Sequence, residues 1–157
     1  MQLTVKIEGN EIYSTKQNRR EMLSKEIDNI IADGGLTGDD LDSLFTVVNH
    51  FSDGIYCREL HMPAGTKIVG KIHKTKHLNT LAKGECLVIT TEREKHIEAP
   101  CTFESVEGEQ KAILAITDVV WQTYHVTDKT DLHEIEKDTI AGDYNEIDNK
   151  GLYNELD

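Results

Sequence analysis

A chain of 157 residues with 38% hydrophobic side chains has room for one domain and one substantial core. Its net charge of −12 repels phosphate backbones and anionic lipids, which argues against nucleic acid and membrane surfaces as partners. No apolar run approaches the ~18–20 residues of a spanning helix, and the opening MQLTVKIEGN lacks a basic region followed by an apolar one, so a cytoplasmic protein is expected.

The first residues alternate, with Leu3, Val5 and Ile7 on one face, and Glu8–Glu11 reads as the turn of a hairpin. Ser14 or Thr15 then caps a helix over 15–33, with Leu23, Ile27, Ile30 and Ile31 as its apolar stripe and Gly34-Gly35 as its stop. Leu36, Leu41 and Leu44 predict one more short helical turn. Two helices around a glycine turn hint at DNA binding, but the second one, DDLDSLF, is too acidic for a major groove.

From Phe45 the apolar period changes to two. FTVVNHF, IYCRELH and TKIVGKIH follow one another across the turns SDG and PAG. ECLVITTE, KHIEAP, CTFESV, KAILAIT and VVWQTYH complete the series, with turns about every ten residues, as expected of an all-β sandwich or barrel. Cys57, Cys86 and Cys101 lie in these strands as an odd set without a CxxC pair. That points to a reducing compartment and to small buried hydrophobes rather than catalytic thiols.

Thr130 or Asp128 caps a short helix, DLHEIEKDTI, with Leu132, Ile135 and Ile140 facing inward. The remaining sixteen residues carry five acids and one lysine, a net of −4, and repeat themselves: Tyr144–Asp148 reads YNEID and Tyr153–Asp157 reads YNELD. Such an end is either solvated and weakly ordered, or a duplicated peptide for self-docking or a host-protein partner. Lys150 spoils its loose likeness to a calcium loop.

Strand parity carries the functional reading. It puts Val69, Lys71 and His73 on one face and Trp121, Thr123 and His125 on another, so His73 and His125 approach if both faces line the interior. His77, just past the loop KTK, completes a trio. Three neutral imidazoles from separate strands form a first shell for one divalent ion, zinc, iron, manganese or nickel, with an open position; a metal-free polar pocket is the alternative. Tyr56 and Arg58 share a face. Arg58 either clamps a carboxylate or phosphate or pairs with an acid at the rim. Lys71 belongs to the basic cluster KIHKTK, a local attraction for a small anion on an acidic protein, or a merely solvated one. Trp121 serves the core or stacks on a ligand, while His50, His61, His96 and His133 read as ordinary.

The run PAGTKIVGKIHKTKHLNTLAKGE resembles the first motif of the cupin family, and SVEGEQK resembles the second. The likeness spans about His50 to His125. More narrowly, HFSDGIYCREL, GKIHKTKHLN and VVWQTYH resemble small cupins encoded in bacteriophage genomes. In the first motif Lys71 stands at the first histidine, His73 at the second and His77 at the glutamate; in the second, Val106 stands at the proline and Lys111 at the histidine. Of the usual four ligands only His73 remains, so a metal needs His77 and His125 as substitutes.

The resemblance implies a mainly β jelly-roll barrel over 45–127, with a hairpin and helical cover over 1–44, a short helix over 128–141 and an acidic tail over 142–157. It implies a homodimer and a small-molecule ligand. Three functions fit: a ligand-binding module of a phage acting in a bacterial cytoplasm; a metal-dependent oxygenase or isomerase, or a metal-free epimerase-like enzyme with a histidine base; and an interaction protein that sequesters a host factor.

Overall fold

The computed structural model describes residues 16–33, 36–37, 45–90 and 92–149. The expected N-terminal hairpin, the helix cap and most of the second helical turn lie outside them. The described chain begins with helix α1 (Lys16–Ala32) and a two-residue strand β1 (Leu36–Thr37). Leu36 was expected in a helical turn. Instead, it joins β1 in parallel with Ile68–Val69, because an open sheet edge offers backbone partners that a lone turn does not.

Two five-stranded sheets follow. One orders β1, β4 (Lys67–Val69), β10 (Ala112–Ala115), β7 (Glu85–Ile89) and β8 (Glu94–Glu98). The other orders β2 (Thr46–Ser52), β3 (Ile55–Met62), β11 (Val119–Val126), β6 (His77–Lys83) and β9 (Cys101–Ser105). Apart from the short β1–β4 pair both are antiparallel. Their inner faces meet in one core. Leu60, Met62, Leu81, Val119 and Trp121 come from the second sheet, and Ile68, Cys86, Val88, Ile97, Ile113 and Ala115 from the first. This is a jelly-roll barrel.

Helix α1 covers the outside of the first sheet, where Leu23 packs with Val69, Ile89 and Ala112. Cys86 is buried, and burial, followed by the neighbouring Cys101 and Glu85, pushes its thiol up to about 12. Such a thiol is inert at neutral pH.

Two strand assignments differ from the expected pattern. HLNTLAK was not expected to be a strand, yet β6 is an interior strand of its sheet, between β11 and β9. Its inward side chains are His77, Asn79 and Leu81, while Leu78 is half exposed, so the apolar alternation is broken by polar residues that face inward. TKIVGKIH was expected to be one strand. It breaks at Gly70-Lys71 into β4 and β5 (Ile72–His73), and β5 leaves the sheet to pair with β12 (Ile140–Ala141). The break resets parity. Val69 faces outward under α1, whereas Lys71 and His73 border the pocket along with Ile68 and Gly70.

The C-terminal segment closes the mouth of the barrel. Helix α2 (Leu132–Thr139) is capped by Asp131, not by Thr130 or Asp128, and the carboxylate accepts from Glu134 N at 3.0 Å. Ile135 is buried, whereas Ile140 has left the helix for β12. The first part of the expected acidic tail is not free. Asp143 caps helix α3 (Tyr144–Asp148), and Arg20 of α1 donates twice to Asp148, at 2.6 and 3.0 Å. A buried cation needs an anion, and this end of the chain supplies it.

Gly84 joins β6 to β7 with φ +91°, and a Cβ there would stand 2.1 Å from Asp118 O. Gly84→Ala is expected to cost at least ~2 kcal/mol, from the left-handed backbone and the collision together. Equilibrium urea unfolding measures it, and an unchanged midpoint would contradict this account of the turn.

Candidate metal centre and ligand pocket

The barrel holds a cavity of about 330 Å³ between the two sheets, closed on one side by α2 and β12. Its wall includes Tyr56, Arg58, Lys71, His73, Trp121, Thr123 and His125, so these sequence candidates share one cavity. Three imidazoles gather at this wall from β5, β6 and β11, of which His73 and His125 border the cavity and His77 does not. Ring centroids lie 4.2 Å apart for His73–His77, 5.0 Å for His77–His125 and 5.5 Å for His73–His125. One ligand nitrogen from each falls within 4.8 Å of the other two. Two imidazoles on a shared ion at ~2.1 Å stand roughly 3–4 Å apart, so the rings need to draw in only slightly.

The donor atoms are as telling as the distances. Among the described residues, buried side-chain nitrogens without a hydrogen-bond partner are few, and three of the four belong to this trio: His73 Nδ1, His77 Nε2 and His125 Nδ1. Leaving buried polar atoms unsatisfied is costly, and three on adjacent rings point to a shared ligand. Nδ1 of His77 lies 2.9 Å from Thr75 O and donates to it, which fixes the tautomer and leaves the Nε2 lone pair bare.

Burial holds all three imidazoles in the neutral form. His73 is pushed well below its ordinary value by desolvation first, then by His77, Lys111 and His125. His77 is lowered by desolvation against the opposing pull of its bond to Thr75. His125 falls to about 4, by desolvation and then by His77 and Lys111. Neutral imidazole is the form that ligates.

Lys111, which stands at the position of a family histidine, is the charged neighbour that sequence reading passed over as a site residue. It is buried, lines the cavity, and lies 3.4 Å from Glu109, with burial lowering its pKa most. Asn79 was missed altogether. Its Oδ1 accepts from Trp121 Nε1 at 3.2 Å and Thr123 Oγ1 at 3.1 Å, and its Nδ2 donates to Ser105 at 2.7 Å. The polar ends of Trp121 and Thr123 are thereby spent inside the wall.

Trp121 is a core residue, packed edge-on against Phe103, and also forms part of the cavity wall. Tyr56 donates to Asn49 at 2.7 Å and stacks between Phe51 and His125. Lys71 pairs with Glu136 of α2 across the mouth. His50 and His61 both bond Glu59 on the outer face, away from the cavity. His96, with Glu85 and Glu98, forms an exposed group on β7 and β8 outside the barrel.

The trio makes stability depend on pH. The unfolded chain takes up protons on these histidines near pH ~6.5, while folded His125 resists until about 4, so the unfolded state binds more protons in between. Stability is therefore complete above that upper value and falls as pH drops through the window, by roughly 3 kcal/mol from His125 alone. His125→Gln is expected to flatten the dependence. Urea midpoints for both proteins across this range measure it, and parallel curves would refute it.

No protein-family model matches the sequence, and a search of curated proteins finds no match. Among solved structures, the chain is similar to salicylate 1,2-dioxygenase from Pseudoaminobacter salicylatoxidans, with a TM-score of 0.51 and 12% identity over 79% of this chain and 37% of that one. The chain thus spans little more than a third of that enzyme. A cupin superfamily protein from Desulfitobacterium hafniense is a weaker neighbour, with a TM-score of 0.44 and 11% identity over 53% of this chain and 79% of that one. At these identities likeness extends to the fold, a jelly roll, and not to an activity.

Proposed function

We propose that the protein binds a small anionic molecule in the barrel cavity, at a divalent metal ion held by His73, His77 and His125. The observation that carries this reading is the trio of buried, unpartnered imidazole nitrogens on adjacent neutral rings. An all-imidazole set suits zinc, iron, manganese or nickel. When bound, such an ion supplies a Lewis acid for a ligand oxygen.

The chain's own residues account for the rest. Arg58, Lys71 and Lys111 border the cavity against one carboxylate, Glu136, so the lining is cationic on a protein of net charge −12. That local field favours an anion. Glu109 beside Lys111 moderates the repulsion between its ammonium and a metal. Leu132, Ile135 and Thr139 of α2 border the mouth and limit access of water. The likeness of HFSDGIYCREL and VVWQTYH to small phage proteins supports an accessory role in a bacterial cytoplasm, and exposed Val48, Phe51 and Ile55 support a homodimer.

Calorimetric titration of untagged protein with zinc, manganese or nickel chloride tests the metal. One ion per chain is expected at neutral pH, with affinity at least ~10-fold weaker in His77→Ala and lost near pH 5, because protonated imidazoles cannot ligate. Equal affinity at both pH values, or in a chain lacking all three histidines, would sink the proposal. A cavity that binds a small carboxylate equally well with and without metal would assign the anion to Lys111 and Arg58 alone.

A further inference from the structure

The repeated peptide at the C-terminus is docked in its first copy, and its contacts show what recognises it. Gly142–Asp148 reads GDYNEID, and Gly151–Asp157 reads GLYNELD nine residues later. In the first copy the Tyr144 hydroxyl donates to Gln110 Oε1 at 2.7 Å, and the Arg20 guanidinium lies 4.1 Å above the ring centroid. Glu146 accepts from Gly142 N at 2.8 Å and pairs with Lys74 at 3.3 Å. Ile147 fills the space beside Gly108, where a Cβ would stand 2.9 Å from its Cγ2. Asp148 takes both arms of Arg20, whose side chain is 8% exposed.

Glycine, tyrosine, glutamate, branched aliphatic and aspartate are thus each engaged, and each recurs in the second copy at the same spacing. We propose that Arg20, Lys74, Gly108 and Gln110 form a receptor for the motif Gly-x-Tyr-Asn-Glu-(Ile/Leu)-Asp, and that Gly151–Asp157 of the same chain is its second occupant, exchanging with the first by a slip of one repeat. Charge fits in both registers, two cations meeting two carboxylates. The tether favours the same chain, because a short linker supplies an effective concentration on the order of millimolar. The first copy is the resident one. Asp143 caps its helix by accepting from Asn145 and Glu146, and Leu152 cannot replace that cap. A slip returns nine residues of chain to the connection after β12, beside the strand that carries His73.

Hydrogen exchange at the Lys74 amide reads the docked state, since this N–H donates to Thr139 O at 2.7 Å next to β12. In the full-length chain, Asp148→Asn is expected to raise its exchange by less than about threefold and Asp157→Asn to leave it unchanged, whereas the double variant raises it about tenfold or more, the scale of a lost bidentate ion pair. Asp148 is half exposed, so its substitution spares the core. An Asp148→Asn chain that exchanges as fast as the double variant overturns the proposal, as does a double variant no faster than the unaltered protein. Sedimentation of Asp148→Asn should show no new association, and a concentration-dependent dimer would overturn exchange within one chain.

Discussion

Pairing of β11 on both edges, eight residues against β3 and five against β6, fixes which of its side chains enter the barrel. A strand held on one edge can slip by one residue and turn every side chain over; a strand held on both cannot slip without breaking two ladders. Trp121, Thr123 and His125 therefore face the cavity as a set. From that alignment follow the Asn79 hydrogen bonds that anchor the wall and the approach of His125 to the histidines of β5 and β6. The core below and the site above share one strand.

The site is electrostatically inverted relative to the molecule. Acids dominate the sequence, yet the cavity wall gathers an arginine, two lysines and the imidazoles of His73 and His125 around a single glutamate. Burial resolves this crowding by keeping the imidazoles neutral, and Lys111 retains a nearby carboxylate in Glu109. Low dielectric strengthens whatever an incoming anion or cation meets there. The electrostatic character of the cavity thus resides in charges that the fold itself fixes.

Much of the barrel was legible because alternation survives wherever one strand face is apolar. Its limits are instructive. Strand β6 escaped notice since its inward positions include the polar His77 and Asn79, and Asn79 is buried on partners far along the chain. His125 followed from parity, but His73 reaches the cavity by a different route, through the break at Gly70-Lys71 that frees β5 to pair with β12. No local pattern encodes that switch. Lys111 was visible as an odd residue at a family histidine, a signal of position rather than chemistry. The docked GDYNEID was hidden because its anchor, Arg20, lies 128 positions away.

Strand β5 is two residues long, and its sheet partner β12 lies at the far end of the described chain. As the chain is made from the N-terminus, residues through Val126 can close the main sheets before Ile140 has been added. The barrel is thus an early structure and its occupied mouth a late one. A ribosome-bound chain stopped before α2 holds a formed core, with His73 tied to Gly108 and Glu109 but lacking its β12 neighbour, so newly made protein acquires its barrel before it acquires the cover over its cavity.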